Sequence, residues 1–162
     1  MSATPPAPAE PDTGPAALAA AVGVPRPPGR WVPLTPETVR RFARLTGDDQ
    51  GLHGASGGTA PAEGAVVVQG ALLVALAAGL LGEVYDLPWS GAQWQVGYDK
   101  VRFRAPVRAG ESVRLRATPQ RVRRRAGGRE VWLSTDLSLE RRGAAGPAMT
   151  ARFHSVIAVR AP

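Results

Sequence analysis

The longest uninterrupted apolar stretch, residues 66–81 (VVVQGALLVALAAGLL), carries no charge, and Gln69 is its only polar side chain. A helix that is apolar on every face is buried in a protein core or in lipid. A membrane span needs about 20 apolar residues, and Glu63 and Gly64 upstream and Glu83 and Asp86 downstream cut this run short. The pattern therefore predicts a central core helix over 66–81, with a membrane span as the minor alternative.

Beyond a connector at 82–91 the period changes from helical to alternating. Residues 94–103 read as a strand, with a turn at 105–110. In 112–124, Val113, Leu115 and Ala117 alternate with Arg114, Arg116 and Thr118, the period of a half-exposed strand. Ala126-Gly127-Gly128 signals a hairpin, 129–141 continues with Val131, Leu133, Thr135, Leu137 and Leu139 on one face, and 148–159 supplies the last strand after a turn at 143–146. No internal repeat interrupts this order. One buried helix followed by a four-stranded antiparallel meander predicts an α+β domain in which a curved sheet wraps around the helix. Such a sheet leaves an edge strand unpaired, which favours dimerisation.

Upstream, residues 1–29 are rich in proline and alanine, and a disordered tail is expected there. A single domain then covers 30–162. Trp31 and Val32 begin a short strand. Thr35-Pro36-Glu37 is a helix start with a hydroxyl cap, proline at the first helical position and an acid in the first turn. Val39, Phe42 and Ala43 line one face of this helix, which ends near Leu45-Thr46. Residues 47–64 (GDDQGLHGASGGTAPAEG) then form a glycine-rich loop of eighteen residues. Structureless loops of that length in compact domains are uncommon and often functional.

Composition narrows the chemistry. The absence of cysteine excludes disulfides, thiolate metal sites and cysteine nucleophiles. The first twenty residues lack the basic start and apolar core of a secretory signal, so the cytoplasm is the expected compartment. Net charge is +7, and 19 of the 20 basic residues are arginine. Such a balance attracts anions, but an arginine bias alongside abundant alanine, glycine and proline is also what a GC-rich genome produces. Charge without a recognition element does not nominate a nucleic-acid binder.

Two histidines remain as candidate acid–base groups. His154 alternates with Arg152 and Val156 in the last strand and reads as a solvent-facing or hydrogen-bonded strand residue. His53 lies in the glycine-rich loop, five residues after Asp48 and four after Asp49. An imidazole and a carboxylate on one loop can hold a water between them, and histidine suits proton transfer near neutrality. The loop leads to Gln69-Gly70, where unpaired N–H groups mark the positive end of the core helix. Gly70 has no side chain to block a carbonyl oxygen approaching its N–H, as in an oxyanion hole. Glycine there also suits a helix start or close packing, and the two roles are compatible.

Phe42-Ala43-Arg44-Leu45-Thr46-Gly47-Asp48, Leu52-His53, Val68-Gln69-Gly70-Ala71-Leu72-Leu73, Gly79-Leu80-Leu81-Gly82 and the segment VRFRAPVRAGE at 101–111 resemble the MaoC-type dehydratases, the (R)-specific enoyl-CoA hydratases. The likeness spans roughly 30–160 in the expected order. It implies a hotdog fold, a curved antiparallel sheet around one long helix, and a homodimer or higher homo-oligomer. It further implies that Asp48 and His53 activate a water for addition to a 2-enoyl thioester, or assist its loss from a 3-hydroxyacyl thioester. Gly70 would hold the thioester carbonyl, with Gln69 and Gln50 as further substrate-binding candidates. No metal and no resident cofactor are implied; coenzyme A or phosphopantetheine belongs to the substrate, delivered as acyl-CoA or on an acyl carrier protein.

The sequence departs from the family pattern at several points. Gln50 stands where asparagine is usual, Gly51 where proline is usual and Gln69 where a histidine is usual. Ala78 replaces a small hydroxyl residue, and Gly54-Ala55-Ser56-Gly57-Gly58 replaces an acidic run. A catalytically silent acyl-binding or partner subunit, and an acyl thioesterase on the same fold, are the alternatives. The arginines at 121, 123, 124, 125 and 129 read as a solvated strand end, or else as a docking surface for coenzyme A phosphates or an acidic carrier protein. Neither nucleic acid nor a membrane is an expected partner.

Overall fold

The computed structural model describes residues 14–48, 50–54 and 66–160. Among the described residues four α-helices and five strands follow as α1 (Pro15–Ala20), β1 (Val32–Pro33), α2 (Pro36–Thr46), α3 (Gly70–Gly79), α4 (Leu81–Val84), β2 (Ser90–Phe103), β3 (Ser112–Arg125), β4 (Glu130–Arg141) and β5 (Pro147–Val159). They form a single antiparallel sheet in the order β1-β3-β4-β5-β2.

The period-two pattern decides which face is dry. Val113, Leu115 and Ala117 of β3, Val131, Leu133, Leu137 and Leu139 of β4, and Met149, Phe153 and Ile157 of β5 point inward and are buried. They pack with Leu73, Ala77, Leu80, Leu81 and Val84 of the helical run into one cluster. The intervening positions face out and are largely polar, with ion pairs between them: Glu140 pairs with Arg114 and Arg116, and Asp136 with Arg152.

The core helix is shorter than its apolar run. Val66 to Val68 are extended instead of helical, because the loop at 107–109 offers them backbone partners. Val68 donates to the Val107 carbonyl, Ala109 donates to the Val66 carbonyl, and Val67 bridges Arg108. Helix α3 starts only at Gly70, and a turn at Leu80 separates it from α4. One flank of α3 is uncovered in the single chain, since Ala71, Ala75 and Gly79 are exposed.

The expectation of a disordered tail through residue 29 is corrected for residues 14–29. Leu18 of α1 is fully buried, at 0 % exposure. The following segment runs along β3, with Gly23, Arg26 and Gly29 donating to the carbonyls of Pro119, Ala117 and Leu115. The physical cause is the β3 edge, whose backbone groups need partners. Prolines at 25, 27 and 28 have no N–H to give, so only every third residue joins. Residues 1–13 lie outside the described part.

Candidate active site

Helix α2 sets the first side chain in place. Its start follows the pattern read from the sequence: Thr35 Oγ1 accepts the N–H of Thr38 at 3.2 Å, with Pro36 next and Glu37 in the first turn. Its end is fixed by Gly47, whose φ of 70° is a left-handed conformation that favours glycine. Asp48 therefore emerges directly from a helix terminus. Residues Gly51–His53 then make one 3₁₀ turn, in which the His53 N–H donates to the Gln50 carbonyl at 2.9 Å.

That turn is tied to the approach to α3. The Val67 N–H donates to the Leu52 carbonyl at 3.0 Å, and His53 Nδ1 lies 2.6 Å from the Val67 carbonyl oxygen. A carbonyl oxygen only accepts, so Nδ1 carries the hydrogen and Nε2 of the neutral ring presents its lone pair. Nε2 faces Asp48, at 3.7 Å from Oδ2. That separation exceeds a direct hydrogen bond and is short enough for one hydroxyl to touch both groups. His53 is buried, while the Asp48 side chain stays partly open at 29 %.

Gly70 closes the arrangement. A cavity of about 370 Å³ is lined by His53, Val67, Gly70, Leu73, Phe103 and Pro106 among others. Gly70 is the first residue of α3, and its N–H makes no backbone hydrogen bond among the described residues. A Cβ built on Gly70 would lie 2.6 Å from Cζ of Phe103. Any larger residue at position 70 would have to displace this ring. His53 thus faces Asp48 at 3.7 Å and shares the lining of this cavity with Gly70.

Two other candidates are placed differently. Gln69 is 1 % exposed and turns toward α2, where Nε2 donates to the Val39 carbonyl at 3.1 Å; it braces two helices and does not line the cavity. Its Oε1 is buried without a partner among the described residues. Gln50 is exposed and serves the turn through its carbonyl. Neither of these expected substrate-binding residues is in the lining of the His53–Gly70 cavity. Asp49 lies outside the described residues. The 101–111 segment supplies a contributor the residue reading had not singled out, Phe103. The signal was an aromatic residue at the end of an edge strand, immediately before a turn. Among the described residues no three His, Asp or Glu side chains converge as metal ligands. No helix among them is long and apolar enough to cross a membrane.

The sequence profile of the MaoC like domain matches residues 18–139. The chain belongs to the MaoC-like dehydratase family. The 3-hydroxyacyl-thioester dehydratase Z of Mycobacterium tuberculosis is 33% identical over 135 residues, covering 83% of this MaoC-like chain and 89% of that relative. A MaoC-like dehydratase from Rhodospirillum rubrum superposes with a TM-score of 0.68 at 16% identity, covering 88% of this chain and 95% of that one. The (R)-hydratase from A. caviae involved in PHA biosynthesis gives 0.58 at 22% identity, covering 78% and 93%. The fold of this MaoC-like protein is the hotdog fold. Its family places it among the dehydratases and hydratases of thioesters. The match begins at residue 18, inside the segment docked on β3.

Proposed function

We propose that this protein adds water to 2-enoyl thioesters and, in reverse, dehydrates 3-hydroxyacyl thioesters. The observation that carries the reading is the 3.7 Å separation of His53 Nε2 from Asp48 Oδ2, with His53 and Gly70 lining one cavity. A water lying against both side chains is held through one hydrogen by Asp48 Oδ2 and donates the other to the Nε2 lone pair as its oxygen bonds to C3 of the enoyl group. The C2–C3 π pair moves toward the thioester carbonyl, and the negative charge collects on its oxygen. The Gly70 N–H meets that oxygen at the positive end of α3, where stabilisation counts in the transition state. Return of a proton to C2 completes the addition of one water. Coenzyme A or phosphopantetheine enters as part of the substrate, and the chemistry uses no resident cofactor.

A dimer through β2 completes the reading. This strand is the open edge of the sheet, and it exposes Trp94 at 47 %, Val96 at 51 % and Phe103 at 55 %. The bare flank of α3 lies on the same protomer, so a second copy offers cover for both apolar surfaces.

The test follows enoyl absorbance with crotonyl-CoA. Asp48→Asn and His53→Ala each lower kcat by ~100- to 10,000-fold, the range for loss of a general acid or base. Activity that survives both substitutions unchanged removes the assignment.

A further inference from the structure

The outer face of the sheet carries a second concavity that the hydration chemistry does not use. Lys100 and Arg102 of β2, Arg104 just beyond it, Arg116 of β3 and Arg152 of β5 line a cavity of about 740 Å³. Small-ligand sites occupy ~300–1,000 Å³. Asp136, the acid in this lining, is already engaged by Arg152, with Nε–Oδ1 at 2.7 Å and Nη2–Oδ2 at 3.0 Å. Arg116 is likewise held by Glu140. Three cations remain. Among the described residues no carboxylate pairs with Lys100, Arg102 or Arg104, and Arg102 donates to the carbonyl of its neighbour Val101. A bulge in β2 between Asp99 and Arg102 gathers them, with Lys100 at a φ of 54°, a conformation uncommon outside glycine.

The position of this cluster gives it meaning. Around the end of β2, Phe103 and Ala105 line the cavity of His53, while Arg102 and Arg104 line the outer cleft. Successive residues at this strand end thus contribute alternately to the two concavities. We propose that the outer cleft seats the phosphorylated nucleotide of coenzyme A, its 3′-phospho-ADP end, while the acyl group lies beside His53. This inference rests on the thioester reading of the inner cavity. A pantetheine arm, about as long as five extended residues (~16 Å), reaches over the strand end from one to the other. The planar forks of Arg102 and Arg104 match the pyrophosphate and 3′-phosphate oxygens. Thr118, Ser138 and Thr150 add hydroxyls, and Pro25 an apolar wall for the base. An acidic carrier protein docks over a broader surface, ~800 Å² per partner, so a recessed, hydroxyl-lined basin favours the nucleotide.

Calorimetric titration of the full chain with adenosine 3′,5′-bisphosphate reads the site directly. Saturable binding is expected, weakened roughly tenfold or more for each arginine lost in Arg102→Gln/Arg104→Gln. Arg44→Gln, on the solvent side of α2, leaves that binding unchanged. In turnover, KM for an enoyl-CoA lies at least tenfold below that for the matching enoyl-pantetheine, and the ratio collapses toward one in the double variant. Bisphosphate binding that disappears in the double variant supports the cleft even if no enoyl thioester turns over, an outcome that sinks the hydratase reading alone. Absence of bisphosphate binding, equal KM for the two thioesters, or an arginine effect confined to carrier-protein-bound substrate overturns the proposal.

Discussion

Gly70→Ala places one methyl group where the structure has least room for it. The new Cβ would stand 2.6, 2.9 and 3.0 Å from Cζ, Cε2 and Cε1 of Phe103. Carbon pairs rest at ~3.5–4.0 Å, so the ring must retreat by about 1 Å. Phe103 is 55 % exposed, which lets it swing outward and keeps the penalty at the low end of overpacking, ~1 kcal/mol. For a domain of this size that lowers Tm by about 3 °C. Activity suffers more than stability, because the displaced ring lines the cavity and a misplacement of ~1 Å costs on the order of 100-fold in rate. Alanine keeps the backbone N–H, so Gly70→Ala/Phe103→Leu, which makes space for the methyl, recovers most of both losses. Thermal melts and crotonyl-CoA hydration by the two variants measure this. A fully active single variant, or a double variant that regains stability while remaining as slow as the single one, would refute the assignment of the Gly70 amide to the thioester oxygen.

Leu18→Ala costs ~2–3 kcal/mol, as for other fully buried leucines, and urea denaturation checks it; a tail without structure predicts no change. Gln69→Met removes the orphaned Oε1 along with the bond to Val39, shifts stability by less than ~1 kcal/mol, and leaves KM for crotonyl-CoA within about twofold. A large rise in KM would return Gln69 to the substrate. Burial pushes the Glu140 carboxyl up, but hydrogen bonds and charge from Arg114 and Arg116 outweigh it and hold the group below its ordinary value of 4.5. Because the folded value is depressed, its contribution is present above the unfolded value and lost as pH falls through the folded one. The stability gap between the parent and Glu140→Gln, followed by thermal melts, is therefore constant near neutrality and closes below pH 4.5, with a size of at most ~1 kcal/mol for a group in contact with water. A gap that widens on acidification contradicts this.

The sequence by itself determined the elements whose causes are local. Thr35-Pro36 starts α2 and Gly47 stops it wherever the helix packs, because capping and left-handed φ are properties of a few neighbouring residues. The alternation in β3, β4 and β5 marked the dry face of the sheet, since a strand has only two sides. The proximity of Asp48 and His53 has a related cause: Asp48 follows the end of α2, and one 3₁₀ turn carries the chain on to His53. Tertiary structure decided what depends on distant partners. Residues 66–68 left the helical pattern because the 107–109 loop offers backbone bonds, and the Val67 carbonyl thereby fixed which nitrogen of His53 holds its hydrogen. Gln69 turned to Val39, and the proline-rich segment ordered on the β3 edge, because each met a polar group 30 positions away or a strand edge lacking partners. No window along the chain contains both halves of such a contact. The meeting of the Phe103 ring with Gly70 is of the same kind, and it sets the size of the space in which the chemistry takes place.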